Sequence, residues 1–343
     1  GVNIYRSGEY LRHKNTSISI FLNYISYPFT ACFNLFRLWG KKYDAVFSYQ
    51  TSPVMMSLPA IIYAKCTKTP LTIYVLDLWP ENLYSVLNIK NEFLRKICKS
   101  VSLWHYKRAD KLIAMGEGLQ KKLVEITQKD ISKIYCIPQY CEKMYEEKVV
   151  DENLQKRFDG KFNVLFAGNF SPAQGLDVLI YLAKRLKNEE NNHIHFVMVG
   201  DGMSHDDFVS KVDQNGLNEY FTFEGQKPIT EIPAYQTMAD VLFAGLSASD
   251  YIGLTVPAKV SSYIAAGKPI LLCMNGEAAE LIAKIGCGFT APAEDSETLF
   301  GELMRIYNMS ESERETLGKK AKEYHEKYLK REIVLEKLQQ AIL

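Results

Sequence analysis

The chain has 343 residues, of which 47% are hydrophobic and 24% charged. This composition is that of a soluble globular protein, and the length disfavours a single domain built on one core. The net charge of +1 hides an asymmetry, because residues 1–150 hold 21 Lys and Arg against 12 Asp and Glu, whereas residues 151–343 hold 20 against 28.

The basic first half suits an anionic membrane surface or a phosphate-bearing lipid, and the acidic second half suits a different partner. Nucleic acid is not expected, because no basic stripe with interleaved aromatic residues is present. The seven cysteines are scattered and form no CxxC pair, which indicates reduced thiols in a cytoplasmic protein. No signal peptide is visible, and the opening GVNIYR lies inside a predicted strand, so we expect a preceding N-terminal stretch.

Short apolar runs alternate with amphipathic segments along the chain. This rhythm predicts α/β architecture, with parallel sheets covered by helices on both faces. In the first half the predicted strands are Val2–Tyr5, Ala45–Tyr49, Leu71–Leu76, Lys111–Ala114 and Lys133–Ile137. The predicted helices are Pro53–Lys68, Glu92–Arg108 and Gly118–Gln128.

An uncharged apolar and aromatic run lies between Lys14 and Arg37, with basic residues on both sides. Polar residues and Pro28 interrupt the run, which argues against a membrane-spanning helix. Two interpretations remain open. The run is either a packed helix of the first domain or an interfacial segment that lies on a membrane surface near a lipid acceptor.

The charged stretch 140–160 interrupts the alternation of apolar and amphipathic segments and is predicted to link two domains. We expect the first domain to span 1–150, joined by a C-terminal helix at about 325–343, and the second to span 151–324. Predicted strands of the second domain begin at Phe162, His193, Tyr220, Asp240 and Pro269. Predicted helices begin at Gly175, Ser204, Thr230, Pro257 and Glu277, and the tail from Ser310 is also expected to be helical.

Two strands of the second domain end in glycine immediately before a helix, the nucleotide-binding arrangement of open α/β sheets. In FAGNFSPAQGLD, Gly168 lets the backbone approach a ligand and Gly175 starts the helix, although a generic α/β turn has the same pattern. In VGDG, Gly200 and Gly202 suit a turn with positive φ. Asp201 between them either accepts hydrogen bonds from hydroxyls or caps the next helix.

The segment TVPAKVSSYIAAGKP, from Thr255 to Pro269, carries the clearest ligand signal. Pro257 suits the first turn of a helix, so N–H groups near Thr255 and Val256 would face a phosphate at the positive helix end. Lys259, in the same turn, adds a full positive charge. The alternative is an ordinary helix with a solvated lysine.

Candidate catalytic carboxylates occur in VLDLWPENL of the first half. Asp77 follows a buried strand and is therefore expected at the carboxyl edge of the sheet, with Glu81 four residues on. A carboxylate there can orient or deprotonate an acceptor hydroxyl, although Asp77 could instead stabilise a turn. No metal is expected, because the histidines show no ligand spacing and no Asp-x-Asp pair is present.

Several segments of the sequence resemble those of a known family. They are SPVMMSLPA, DLWPENL, AGNFSPAQGLD, VGDG, ADVLFAGL, TVPAKVSSYIAAGKPIL and GEAAELIAKIGCGF. Over essentially the whole chain the sequence resembles the family 4 retaining glycosyltransferases. It looks most like the bacterial branch that builds O-antigen and capsular polysaccharide, including N-acetylfucosamine-type transferases. The resemblance implies the GT-B architecture of two facing Rossmann-like domains. The family's first strand and glycine-rich loop have no counterpart here, so the first domain is expected to lack them.

The chain departs from the family pattern at four positions. Many members carry two Glu that match Leu254 and Ser262 here, and Arg and Lys that match Asn169 and Gln174. The usual cations for the diphosphate are therefore absent. Ser262 can still reach a ribose hydroxyl, and the apolar Leu254 suits a deoxy sugar.

The remaining donor-site positions follow from the same resemblance. We hypothesise that Lys259, helped by Lys227, neutralises the diphosphate in place of the absent cations. Glu280, in the segment GEAAELIAKIGCGF that carries the resemblance, belongs to the implied donor site. The co-substrate is expected to be a nucleotide sugar, UDP-linked, and no other cofactor is implied.

The resemblance implies transfer of a sugar, with retention, from a nucleotide diphosphate to a lipid-linked glycan at the inner face of the cytoplasmic membrane. The sugar is expected to be an N-acetylated or deoxy hexose. Two other interpretations stay open. A degenerate protein would bind the nucleotide sugar without turnover, and a UDP-sugar 2-epimerase would need acid and base residues that we do not find.

Overall fold

The computed structural model describes residues 2–11, 17–80, 91–248 and 252–343, without the side chains of Ser17 and Ile252. The chain divides into two compact units. Unit 1 comprises Gly1–Pro138 with Leu335–Leu343, and unit 2 comprises Gln139–Val334. The change of unit falls before the predicted linker, because Cys141 and Tyr145 are buried against Ala265 of unit 2.

Unit 1 is a parallel α/β unit. Its helices and strands are α1 (Ser17–Asn34), β1 (Val46–Gln50), α2 (Leu58–Thr67), β2 (Leu71–Val75), α3 (Glu92–Arg108), β3 (Lys111–Ala114), α4 (Glu117–Thr127) and β4 (Ile134–Cys136). The strands pair in the order β1-β2-β3-β4. Every residue of β2 is buried, as expected for a parallel strand covered on both faces. Asn91 begins α3, since its side chain accepts hydrogen bonds from the N–H groups of Phe93 and Leu94.

The strand predicted at Val2–Tyr5 is wrong. Residues 2–11 form no regular secondary structure, and the side chains of Val2 and Ile4 are 91% and 78% exposed. The segment is instead attached to α1 by side-chain hydrogen bonds, because Asn23 donates to the Tyr10 carbonyl and Asn34 to the Arg6 carbonyl. The apolar residues of this segment therefore do not form a buried strand.

The uncharged run forms α1, which is packed on one side only. Ile20, Tyr24 and Ala31 are buried, and the Tyr24 ring lies 5.3 Å from that of Trp79. The opposite side exposes Phe21 and other large apolar residues to solvent. Among the described helices, none is long and apolar enough to cross a membrane.

Unit 2 contains a six-stranded parallel sheet and supplies the candidate site. Its strands are β5 (Phe162–Ala167), β6 (Ile194–Val199), β7 (Phe221–Gly225), β8 (Val241–Gly245), β9 (Ile270–Cys273) and β10 (Gly288–Ala291). They pair in the order β10-β9-β8-β5-β6-β7. The strand order reverses beside β5, which has β6 on one side and β8 on the other. Ligands of open α/β sheets bind at such a switch point, outside the carboxyl ends of the strands.

Helices cover the sheet of unit 2. They are α5 (Glu152–Arg157), α6 (Asp177–Asn188), α7 (His205–Gln214), α8 (Ile232–Met238), α9 (Ala258–Ala266), α10 (Glu277–Ile285), α11 (Ser296–Tyr307), α12 (Glu311–Tyr324) and α13 (Arg331–Ile342), the last of which enters unit 1. The sequence prediction missed α5, which lies inside the predicted linker, and also β10 and α11. The predicted class, two Rossmann-like parallel α/β units, is confirmed.

Candidate functional site

A cavity of about 670 Å³ opens at the carboxyl ends of β5, β6 and β7 and at the N-terminal end of α9. Its position is the one that the reversal of strand order predicts for a ligand. The predicted site residues that line it are Gly168, Asn169, Gly200, Asp201, Gly202, Lys227, Lys259 and Ser262. The cavity lies entirely within unit 2.

The loops after β5 and β6 are held together backbone to backbone. The Phe170 N–H donates to the Asp201 carbonyl at 2.9 Å. Gly200 and Gly202 have φ of 132° and 154°, and a Cβ on them would lie 1.9 Å from the Gly168 oxygen and 2.3 Å from the Phe170 oxygen. Only glycine fits such positions, so the two glycines let these loops form one wall of the cavity.

Asp201 does not cap the following helix. Its carboxylate accepts the N–H of Gly202 at 2.7 Å, whereas the N-cap of α7 is Ser204, which makes no side-chain capping bond. The Asp201 side chain is exposed and lines the cavity. Its remaining oxygen lone pairs suit hydroxyl groups of a ligand.

Lys259 is a partly buried cation of the cavity. Its ammonium donates a hydrogen bond to Gln174 Oε1 and lies 4.4 Å from the centroid of the Phe166 ring. A Cβ on Gly168 would lie 2.8 Å from Lys259 Nζ, so the missing side chain of this glycine makes room for the ammonium. Burial lowers the pKa of Lys259 to about 8.

The N-terminal end of α9 points its first turn at the same cavity. Pro257 is the N-cap, with no side-chain capping bond, so the helix begins at Ala258, one residue later than predicted. The first N–H groups of a helix have no partners within the helix and carry its positive dipole end. Ala258 and Lys259 line the cavity, whereas the predicted residues Thr255, Val256 and Pro257 are not part of its lining. A helix end with a lysine in its first turn is suited to bind an anion.

Lys227, on the loop after β7, is tied to a buried carboxylate. Its Nζ lies 3.4 Å from Oε2 of Glu224, which is 3% exposed. Glu224 also accepts a 2.6 Å hydrogen bond from Tyr235 and forms an ion pair with Arg157. Burial opposes ionisation of Glu224, but these partners outweigh it and hold its pKa below the usual value.

Three other predicted residues of unit 2 do not line the cavity. Gln174 holds Lys259, as described above. Gly175, with φ of 58°, ends a short 3₁₀ turn two residues before α6 instead of starting that helix. Glu280 is exposed on α10.

The two predicted catalytic carboxylates belong to unit 1. Asp77 is half-buried in a bend at the carboxyl end of β2, where its carbonyl accepts a 3.1 Å hydrogen bond from Gln50. Glu81 lies outside the described residues. The catalytic role of both carboxylates stays a prediction.

Sequence reasoning missed a group of cavity residues on the loop after β7, on α8 and before α5. They are Glu142, Tyr145, Gln226, Ile229, Ile232 and Gln236. The loop residues after β7 could have been found, since they follow a strand at the same edge of the sheet as Gly168 and Gly200. Gln236 had no such signal, because it lies inside a helix.

A parallel sheet with a glycine-lined cavity and a cationic helix end at its switch point defines a nucleotide-binding α/β fold. The sequence model of the family described as Glycosyl transferases group 1 matches residues 150–324. This match covers half of the chain, and the chain therefore belongs to that family. Among curated proteins, none matches the sequence.

Solved structures agree with this assignment at the level of the fold. HepE from Anabaena in complex with UDP has a TM-score of 0.72 at 16% identity, covering 87% of this chain and 78% of that chain. Sucrose-phosphate synthase from Thermosynechococcus elongatus has a TM-score of 0.71 at 15% identity, covering 94% and 78%. WaaG, a glycosyltransferase involved in lipopolysaccharide biosynthesis, has a TM-score of 0.59 at 14% identity, covering 86% and 84%. The predicted GT-B fold is thereby confirmed.

Proposed function

We propose that the chain transfers a hexose-type sugar, with retention and without a metal or other cofactor, from a UDP-linked donor to a lipid-linked glycan in surface polysaccharide synthesis. The observation that supports the proposed donor site is the partly buried Lys259 at the N-terminal end of α9, in the wall of a cavity at the switch point of the sheet. The family membership and the UDP held by HepE, a protein of the same fold, support it.

The cavity residues divide into roles along the donor. The α9 end and Lys259 hold the diphosphate, and their charge stabilises it as it departs. Lys227 assists from the loop after β7, and Asp201 accepts hydrogen bonds from sugar hydroxyls. In unit 1, Asp77 and Glu81 orient or deprotonate the acceptor hydroxyl.

Calorimetry with UDP tests the donor site. Lys259→Met is expected to weaken UDP binding and to raise the donor KM about tenfold or more, because a charge-assisted bond to phosphate is lost. Lys268→Met is the matched control, since Lys268 is also a partly buried lysine of unit 2 but donates to the Ala239 carbonyl away from the cavity. An unchanged KM in Lys259→Met would overturn the assignment.

Turnover assays separate the proposed enzyme from its alternatives. Asp77→Asn is expected to lower kcat about a hundredfold while the UDP affinity stays the same, as for loss of a general base. Activity that survives a chelator supports the metal-independent reaction, and the anomeric configuration of the product reports retention. Binding of UDP with no turnover on any acceptor would indicate the degenerate protein. Consumption of UDP-GlcNAc without an acceptor would indicate the epimerase.

The proposed identity of the donor sugar depends on the residue at one position, Leu254. Leu254, where many family members carry Glu, offers no acceptor to a hydroxyl, so a 6-deoxy or N-acetylated hexose is favoured over a fully hydroxylated one. A panel of UDP-linked donors tests this preference. Equal kcat/KM for glucose and its 6-deoxy analogue would contradict it.

The proposed binding to a membrane surface is supported by α1. Its outer face exposes Phe21, Phe29 and Phe33, by 55%, 67% and 58%. Residues 1–150, most of which belong to unit 1, hold 21 Lys and Arg against 12 Asp and Glu. An apolar face with nearby cations suits an anionic membrane surface on the cytoplasmic side. This face would bring the protein to a lipid-linked acceptor.

Liposome flotation tests this surface. Replacing Phe21 and Phe29 by Ser is expected to reduce flotation with anionic vesicles. Phe93→Ser is the control, since Phe93 is 70% exposed on α3 of the same unit. Equal flotation of the double variant and the control would contradict the membrane role of α1.

A further inference from the structure

Gln236 has an unsatisfied acceptor in the wall of the cavity. The residue is on α8 and is 2% exposed, and within the part of the chain that the structure describes its Oε1 has no hydrogen-bond partner. It lines the cavity together with Ser262 and Lys259. Buried polar groups are almost always paired in proteins, so an unpaired buried amide oxygen on a residue that lines a cavity indicates a ligand that supplies the donor.

The orientation of the Gln236 amide follows from its neighbour. The Ser262 hydroxyl gives its proton to the Lys259 carbonyl at 2.8 Å. Ser262 Oγ can therefore only accept from Gln236, whose Nε2 lies 3.5 Å away. With the NH₂ group turned to the serine, Oε1 is left to accept a hydrogen bond from a bound ligand.

The position along α9 indicates which part of a nucleotide lies there. Ser262 follows Lys259 by three residues, so both lie on one face of the helix, about one turn apart. With the diphosphate at Lys259, the next group along the nucleotide is the ribose. Each ribose hydroxyl can donate one hydrogen bond and accept others, which matches an orphan carbonyl beside a serine hydroxyl.

We propose that Gln236 binds a ribose hydroxyl of the donor nucleotide and makes the site select ribonucleotides over deoxyribonucleotides. The inference rests on the proposed donor site and adds a specificity-determining residue to it. The amide of Gln236 replaces, from a different helix, the acceptor that Glu would supply at the position of Ser262. A nucleotide without the hydroxyl would leave the buried Oε1 unpaired, which is why the site rejects it.

Calorimetry with UDP, 2′-deoxy-UDP and 3′-deoxy-UDP tests this inference. The unmodified protein is expected to bind UDP about tenfold more tightly than at least one deoxy analogue. Gln236→Leu, of similar size and without the amide, is expected to lose this preference by weakening UDP while leaving that analogue within about twofold. Lys259→Met provides the contrast, because it is expected to weaken all three ligands alike.

The outcomes are distinguishable. Equal binding of all three nucleotides to the unmodified protein overturns the role of Gln236 and leaves the donor site intact. A Gln236→Leu variant that keeps the preference also overturns it. If Gln236→Leu fails to fold, Gln236→Asn carries the same test, because the shorter amide cannot reach the same hydroxyl. Failure of the unmodified protein to bind any nucleoside diphosphate would instead overturn the proposed function.

Discussion

The lowered pKa of Lys259 predicts that UDP binding weakens as the pH rises from 7 to 9. Burial lowers this pKa from 10.5 to about 8, so the ammonium is lost as the pH passes through about 8. The second phosphate ionisation, near pH 6, is almost complete at pH 7, and Lys259→Met, which binds the same ligand, corrects for any ionisation of UDP itself over this interval. Only the protonated lysine attracts the diphosphate.

The magnitude follows from the protonated fraction. A lysine of pKa about 8 is roughly nine-tenths protonated at pH 7 and roughly one-tenth at pH 9, so the affinity is expected to fall about tenfold, or about 1.4 kcal/mol. A solvated lysine of pKa about 10.4 would change by only a few per cent over the same interval. The pH profile therefore separates a partly buried functional lysine of lowered pKa from an ordinary solvated one.

Isothermal titration calorimetry at both pH values, in buffers of different ionisation enthalpy, measures this effect. At pH 9 binding is expected to take up nearly one proton, because the bound anion restores the charge of Lys259. Lys259→Met is expected to bind weakly and without pH dependence, whereas Lys268→Met keeps the dependence. A constant Kd in the unmodified protein, or the same fall in Lys259→Met, would refute the reasoning.

Three further predictions test the surroundings of the cavity. In urea denaturation, Gly202→Ala is expected to lower the free energy of unfolding by at least about 3 kcal/mol, because this position has a positive φ and a Cβ would overlap the backbone. Gly301→Ala is the control. Gly301 lies in a helix with open space around it, so this change should raise the free energy of unfolding by about 0.5–1 kcal/mol. Tyr235→Phe removes a hydrogen bond that lowers the pKa of Glu224. The stability that a lowered carboxyl pKa contributes is lost as the pH falls through that pKa. Acid unfolding of this variant, followed by circular dichroism, should therefore begin at a higher pH than that of the unmodified protein. Ser262→Glu is expected to weaken UDP binding about tenfold in calorimetry by adding an uncompensated negative charge. Unchanged unfolding or binding in any of these variants would contradict the corresponding contact.

The regular elements could be predicted where local chemistry and burial agree. The bounds of α3 and β3 match the prediction, because a capping Asn91 and a short buried apolar run mark them. The prediction failed at residues 2–5, where apolar side chains are exposed. It also missed β10, a short edge strand in which only Ala291 is buried. Edge strands lack the continuous apolar run of central ones, so their sequence carries less information.

The candidate site could be predicted where a local pattern marks it. Gly168 and Gly200 were found because both follow a strand at the edge of the sheet where ligands bind, and Gly200 has a φ of 132° that favours glycine. Lys259 was found because it lies in the first turn of a helix that begins with proline. Gln236 and Glu224 depend on packing between α8, α9 and β7, which joins residues far apart in sequence, and no local pattern reports such contacts.

If the proposed donor site is correct, the four departures from the family pattern that the sequence resembles form a compensating set. Asn169 and Gln174 remove the two cations that many members direct at the diphosphate, and Leu254 and Ser262 remove two carboxylates from the same site. Each pair of losses alone would leave an unbalanced charge, which is costly in a partly buried cavity. Lost together they keep the balance, and the remaining charge of Lys259 then meets the diphosphate without a Glu beside it. In the proposed site a charged network is exchanged for Lys259, Lys227, one helix end and neutral hydrogen-bonding groups, so adding back a single carboxylate should cost affinity.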